Sequence, residues 1–230
     1  MKEVDVIAVD ADDTLWDCQT HFDEVERRYC EMLSPYGNAD EISDAFFKVE
    51  TANMNELGYG TKAFVISLLE NAINISNRQV TADEMERIIH MGRALMHLPA
   101  TPLPGVTETL QQLRHKSNRK MVLFTKGDRI EQERKVERSG LGTFFDDVVV
   151  VDEKHPAAYE RLCRQHQVQP ERLAMVGNSF KSDIAPALEV GCMAVHIPFH
   201  ATWKYEQTET FPHERLITLQ RFNELTRLFC

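Results

Sequence analysis

The sequence is short of positive charge. Its 26 lysines and arginines stand against 36 aspartates and glutamates, a formal net charge of −10 over 230 residues. That deficit argues against general nucleic-acid binding, which needs a basic surface to displace counterions. The one dense basic cluster, Lys116, Arg119 and Lys120, reads as a solvated loop between a helix and a strand. Cysteine is scarce as well. Cys18, Cys30, Cys163, Cys192 and Cys230 are odd in number, scattered and without CxxC spacing, so neither a disulfide framework nor a zinc site is expected. No apolar run approaches the roughly 20 residues that span a bilayer, so no membrane association is expected. The chain opens MKEVD and enters an apolar run directly, which is not the pattern of a signal peptide. Internal repeats and low-complexity tracts are lacking too. These lacks point to a cytoplasmic protein with reduced thiols.

What is present starts at Val4–Leu15, VDVIAVDADDTL. The run Val6–Val9 stops at three carboxylates, Asp10, Asp12 and Asp13, followed by Thr14. A short β-branched run of this kind fits a buried central strand of a parallel sheet. Stripping water from an unpaired carboxylate costs several kcal/mol. The acids therefore belong in the loop past the strand's C-terminal end, the edge where open α/β sheets bind ligands. Two carboxylates converging there repel unless a cation neutralises them or one holds a proton, and oxygen-only ligands favour Mg²⁺.

The chain then changes character twice. From about Thr20 to Leu98 the spacing is helical, with four apolar faces: Phe22 to Leu33, Ile42 to Val49, Phe64 to Ile73, and Met85 to Leu95. Gly58 and Gly60 mark a turn between the second and third, and Thr81-x-x-Glu84 is a capping box opening the fourth. The proline-dense Leu98–Gly105 reads as a hinge. Beyond it strands and helices alternate, with strands expected at Lys120–Thr125, Asp147–Val151, Leu173–Gly177, Met193–Pro198 and Arg215–Leu219. The expected fold is α/β: a doubly wound, Rossmann-like parallel sheet formed by 1–15 and 100–230, with an α-helical domain, 16–99, inserted after the first strand.

The polar residues just past these strands form a second pattern. Thr125, Lys126 and Gly127 end one, Lys154 follows another, and Gly177-Asn178-Ser179 with Asp183 ends a third. Each alone has an ordinary explanation as a strand end, a surface lysine or a helix cap. Together, in order and at one sheet edge, they describe a site.

This arrangement resembles the haloacid dehalogenase (HAD) superfamily in its phosphatase branch. Asp10-Ala-Asp12-Asp-Thr14 matches the first motif, DxDxT. Thr125 stands where the second has Ser or Thr, Lys154 where the third has Lys, and Gly177-Asn-Ser-x-x-x-Asp183 resembles the acidic fourth. Asn178 departs from the Asp that many members carry there. The helical insertion resembles the family's C1 cap, expected to move on its two chain crossings and screen the site. The resemblance implies catalysis by Asp10, Asp12, Thr125 and Lys154, with Mg²⁺ held by Asp10, Asp12 through its carbonyl, Asn178 and Asp183. Asp10 would attack phosphorus to give an aspartyl-phosphate. Asp12, with a raised pKa, would protonate the leaving alkoxide and then activate water. The substrate would be a small phosphorylated metabolite, with Tyr59, Lys62 and Arg93 of the insertion and Lys126, His200 and Trp203 of the sheet domain as candidate contacts. Two alternatives share much of this pattern: a sugar phosphomutase of the same fold, and a receiver-like module phosphorylated on Asp.

Overall fold

Val6–Val9 forms strand β1 in a computed structural model that describes residues 4–230, and every side chain of the strand is buried. Four helices follow: α1 (Gln19–Met32), α2 (Ala39–Leu57), α3 (Thr61–Ile75) and α4 (Ala82–Leu95). Then come α5 (Val106–Lys116), β2 (Lys120–Lys126), α6 (Arg129–Ser139), β3 (Asp147–Val151), α7 (Pro156–His166) and β4 (Leu173–Gly177). The last elements are α8 (Ala185–Val190), β5 (Met193–His196), β6 (Leu216–Thr218) and α9 (Leu225–Phe229).

The six strands make one parallel sheet in the order β3-β2-β1-β4-β5-β6. The chain winds outward from β1 to β3 and then returns to the other side of β1 as β4. The winding therefore reverses between β1 and β4, the crevice where such sheets bind ligands. Alternate side chains enter two apolar layers. Ile7 and Val9 pack with Val106, Leu110 and Phe222 on one face. Val6 and Ala8 pack with Tyr159, Leu162 and Cys163 on the other. Val9 lies opposite both Leu123 and Val176, so β1, β2 and β4 finish close together at one edge.

Backbone packing divides the chain into two compact units, Met1–Gln19 with Ala100–Cys230, and Thr20–Pro99. The first junction falls four residues later than the sequence pattern put it. Trp16 explains this: its side chain is buried in the same core cluster as Leu15, Ala100 and Val106. The two chain crossings are also pinned together, through a Trp16–Pro102 bridge and a 2.8 Å bond from Leu103 N to the Leu15 carbonyl.

The helical unit has its own core, built on Tyr29, Leu33, Ile42, Phe46, Leu68 and Ile88. Capping boxes open α2 (Asn38 with Glu41) and α4 (Thr81 with Glu84). Gly92 on α4 lets α3 come close, because a Cβ there would stand 1.9 Å from Val65 Cγ2. Two strands of the sheet unit, β5 and β6, are shorter than the sequence suggested. β5 stops at His196, just before Pro198, which has no N–H to extend a ladder. A π-helical turn, Phe180–Ile184, leads directly into α8. Among the described residues no helix is long and apolar enough to cross a membrane.

Candidate active site

Asp10 follows β1 and is fixed by its own backbone, whose N–H donates to the Val176 carbonyl of β4 at 2.9 Å. Its carboxylate is only 7% exposed. Oδ1 accepts from Lys154 Nζ at 2.5 Å, and Oδ2 from the Thr14 hydroxyl at 3.1 Å. Thr14 in turn lies 3.2 Å from Asn178 Oδ1 and accepts from the Asn178 N–H at 3.1 Å, which ties the loop after β1 to the loop after β4.

Lys154 lies between β3 and α7 and is 2% exposed. Besides Asp10 it donates to Asp183 Oδ1 at 2.6 Å. Two buried carboxylates thus share one ammonium. Burial, with the charge of Asp183 added, pushes the Asp10 carboxyl up to about 7 although Lys154 opposes the shift.

Asp183 is delivered by the π-helical turn, whose wider loop brings the N–H groups of Asp183 and Ile184 to the Ser179 carbonyl. Its Oδ2 accepts from Ser179 N at 2.9 Å. Gly177 makes room for it, since a Cβ there would sit 2.2 Å from Asp183 Oδ2. The sequence motif therefore has a steric reason: only glycine at the end of β4 lets Asp183 fold back over the strand.

Asp12 sits two residues on and is held differently. Lys135 Nζ lies 2.9 and 2.8 Å from its two oxygens, Trp16 Nε1 donates to Oδ1 at 2.7 Å, and Gln132 Nε2 to Oδ2 at 3.0 Å. Burial raises its pKa, but the Lys135 charge and these donors more than reverse that, so the carboxyl lies below its ordinary value. The expectation of a raised pKa at Asp12 is thus overturned, and the cause is Lys135. Asp13, with φ of 62°, turns away and caps the exit of the loop, accepting from Cys18 N and Gln19 N at 2.8 and 2.9 Å. Burial pushes its carboxyl up to about 7.

Thr125, one residue before the end of β2, is buried, and its hydroxyl accepts from Gln132 Nε2 at 2.8 Å. Lys126 donates to Ser182 Oγ at 2.9 Å and pairs with the buried Glu206. Its ammonium is engaged inside the sheet unit. Glu206 also accepts from the Ser179 and Ser182 hydroxyls, so the segment after β5 braces the turn that carries Asp183. In that segment the His200 ring lies tilted against Phe199 and the Trp203 ring tilted against Tyr205. Tyr59, Lys62 and Arg93 belong to the helical unit: Tyr59 precedes α3, Lys62 lies in its first turn, and Arg93 is in the last turn of α4.

The structure thus gathers Asp10, Asn178, Lys154 and Asp183 in one hydrogen-bonded set, and links Asp12 to Thr125 through Gln132. Sequence reasoning missed Gln132, Lys135 and Glu206. One signal was available for the first two. The 11-residue α6, RIEQERKVERS, has only Ile130 and Val136 as apolar residues, so polar side chains must make its inner face. Glu131, Gln132, Lys135 and Val136 are buried there.

Among the described residues no three His, Cys, Asp or Glu side chains converge as a metal cage. The oxygen donors brought together here are the Asp10 and Asp183 carboxylates and the Asn178 amide oxygen. This all-oxygen set, with its surplus negative charge, fits Mg²⁺, which keeps several waters and needs few protein ligands. The Asp12 side chain is committed to Lys135.

A family model described as haloacid dehalogenase-like hydrolase matches residues 4–191. The chain belongs to this family. It is 28% identical over 195 residues to a glyceraldehyde 3-phosphate phosphatase of Methanothermobacter thermautotrophicus, covering 81% of this chain and 82% of that one. A phosphoglycolate phosphatase of Vibrio vulnificus is 32% identical over 123 residues, 51% of this chain and 50% of its own. Among solved structures, a haloacid dehalogenase-like hydrolase from Xanthomonas campestris superposes with a TM-score of 0.88 at 29% identity, covering 98% of this chain and 90% of that one. The core of this HAD-like hydrolase is the Rossmann-like fold of its family.

Proposed function

We propose that this hydrolase is a Mg²⁺-dependent phosphatase that cleaves a small phosphomonoester through an aspartyl-phosphate on Asp10. The observation that carries the reading is a pair of carboxylates two residues apart with opposite surroundings. Asp10 faces Lys154 and Asp183, while Asp12 is held by Lys135, Gln132 and Trp16. Two such environments suit two roles.

In the first step an Asp10 oxygen attacks phosphorus, forming the O–P bond as the ester P–O bond breaks. Lys154 lies against the charge that builds on the phosphoryl oxygens, and the Thr125 hydroxyl has a hydrogen to donate to them. The leaving alkoxide needs a proton. Asp12 is anionic before substrate binds, so that proton enters with the monoester, whose second ionisation lies near pH ~6, and passes to the alkoxide through Asp12. In the second step Asp12, again anionic, takes a proton from the water that attacks the acyl-phosphate and passes it to the departing phosphate, so that both Asp10 and Asp12 are restored as carboxylates. Mg²⁺, which Asp10, Asp183, Asn178 and the Asp12 carbonyl would hold, would offset the repulsion between Asp10 and the anionic phosphoryl group.

The printed names of the relatives, phosphatases of glyceraldehyde 3-phosphate and phosphoglycolate, support a small phosphorylated metabolite as substrate. The inserted helical unit we read as a cap that selects it. A cytoplasmic setting accords with five free cysteines. The test is phosphate release from a panel of short sugar and acid phosphates, with Mg²⁺ and after exhaustive chelation. Release that needs the metal is expected. No release from any ester, or full turnover without metal, overturns the reading.

A further inference from the structure

We propose that Gln132 and Lys135, three residues apart on the inner face of α6, are positioning residues that hold the Asp12 carboxylate and the Thr125 hydroxyl in fixed relation before substrate arrives. The proposal rests on the phosphatase reading of Asp12 and Thr125 given above.

Asp12 receives four bonds, two from Lys135 and one each from Trp16 and Gln132, all between 2.7 and 3.0 Å. Its rotation is therefore determined by three side chains from two elements. Gln132 is the link. Its Nε2 carries two hydrogens and faces three acceptors: Asp12 Oδ2, Thr125 Oγ1 at 2.8 Å and the Lys126 carbonyl at 2.9 Å. Because Gln132 donates to the Thr125 oxygen, the threonine's own hydrogen is directed elsewhere, available to a phosphoryl oxygen.

The amide orientation is also determined. Gln132 Oε1 is buried with no hydrogen-bond partner, a costly state. Turning the amide over would set that oxygen against the Asp12 carboxylate and the Lys126 carbonyl, both acceptors, which costs more. The side chain keeps an orphaned acceptor so that its N–H groups can face Asp12 and Thr125.

Lys135 is 3% exposed. Filling that space would not require a charge, since an apolar side chain of similar volume avoids the desolvation. Its neighbours are the acid–base carboxylate, Glu131 at 3.8 Å and the Cys18 sulfur at 3.6 Å, so Asp12 is its closest partner.

The test is a double-mutant cycle on turnover of 4-nitrophenyl phosphate and an alkyl phosphate, with the phosphoenzyme trapped by acid quench. Lys135→Met in the otherwise native protein is expected to lower kcat by about 10²-fold while KM stays within about threefold, because acid–base help is typically worth about 10²–10⁴-fold. In an Asp12→Asn background the same change is expected to cost less than about threefold, since its target is gone. Lys135→Arg, which keeps a cation, is expected to recover part of the loss. Gln132→Met is expected to raise KM as well as lower kcat, because it also frees the Thr125 hydroxyl. Equal losses from Lys135→Met with and without Asp12, or a change confined to KM, overturn the positioning role. Should Lys135→Met not fold, the cycle is run with Gln132→Met on the same criterion. An active wild-type protein with additive losses overturns this proposal alone. A wild-type protein that hydrolyses neither ester overturns the phosphatase reading and this proposal with it.

Discussion

The two units bury polarity in different ways. The sheet unit buries charges: Asp10, Asp183, Lys154, Lys135, Glu131 and Glu206 are all 9% exposed or less. The helical unit buries mainly neutral polar groups. Tyr29 donates to the Leu68 carbonyl at 3.0 Å and accepts from Asn71 at 2.8 Å, closing a small network inside an apolar core. Its charges, apart from Glu50, stay outside, as in the Arg27, Glu24 and Glu31 ladder on α1. Burying an ion costs several kcal/mol even in a relaxed protein, whereas a hydrogen-bonded hydroxyl or amide is close to neutral. Charge is therefore concentrated in the unit where it has chemistry to do. The clearest sign is the surplus of carboxylates over ammonium at Asp10, Asp183 and Lys154, an arrangement that stability alone would not select.

The strongest way to break this contrast is at Asp10. Asp10→Asn removes the proposed covalent acceptor, so turnover is expected to fall by about 10³-fold or more, with no phosphoenzyme trapped from any ester. The same change removes one of two carboxylates that share Lys154, so the melting temperature is expected to hold or rise. Activity and thermal unfolding of the same preparation check this. A large fall in melting temperature would show that Asp10 serves the fold, and the contrast would collapse.

Lys154→Met gives the converse. It leaves two buried carboxylates facing each other, and removal of one partner from a buried ion pair costs about 3–5 kcal/mol. Unfolding in urea should register that loss beside a fall in activity. Near-native stability would mean that solvent reaches the pair more than its burial implies.

How far the site could be read from the sequence follows the same division. Asp10, Thr125, Lys154, Asn178 and Asp183 each stand a few residues past an apolar β run, and parallel strands finish at one edge. Their placement at one sheet edge was therefore legible from the sequence, as were the Thr81 cap and the doubly wound order. Lys135 and Gln132 were not. Hydrophobic periodicity places apolar residues inward, and α6 inverts the rule by exposing Ile130 (56%) and burying a lysine and a glutamine. Glu206 lies in a short 3₁₀ turn with no periodic signal at all. Asp12 was expected to carry a raised pKa and carries a lowered one; the counter-charge that lowers it, Lys135, lies 123 residues away in sequence.

Within the helical unit the expected effects are smaller and confined to stability. Gly92→Ala places a methyl 1.9 Å from Val65 Cγ2, and such overpacking costs about 1–3 kcal/mol. Part of it is returned by the better helix propensity of alanine. The expected net loss is about 1–2 kcal/mol in chemical unfolding, with the kcat of the remaining folded protein close to native. A kcat loss at full folding would show that the spacing of α3 and α4 matters to chemistry as well as to packing.

The smallest effect sharpens the contrast most finely, because it concerns a charge that is exposed. The Thr81 hydroxyl accepts from Glu84 N at 3.2 Å and donates to the Glu84 carboxylate at 2.8 Å, while Thr81 N donates to the same oxygen at 2.7 Å. The Thr81 N–H and hydroxyl together hold the Glu84 carboxyl below its ordinary value. Thr81→Ala removes the cap and one of these donors, at an expected cost of about 1 kcal/mol near neutral pH. A depressed carboxylate pKa contributes stability that is present above the unfolded value and lost as pH falls through the folded one. The difference between Thr81→Ala and the native protein should therefore shrink as pH drops through the lowered Glu84 value, while kcat near neutrality stays native. Urea unfolding of both proteins along a falling pH series measures it. A difference that stays constant would assign the whole effect to the Thr81 hydroxyl accepting from Glu84 N, with no share for the carboxylate.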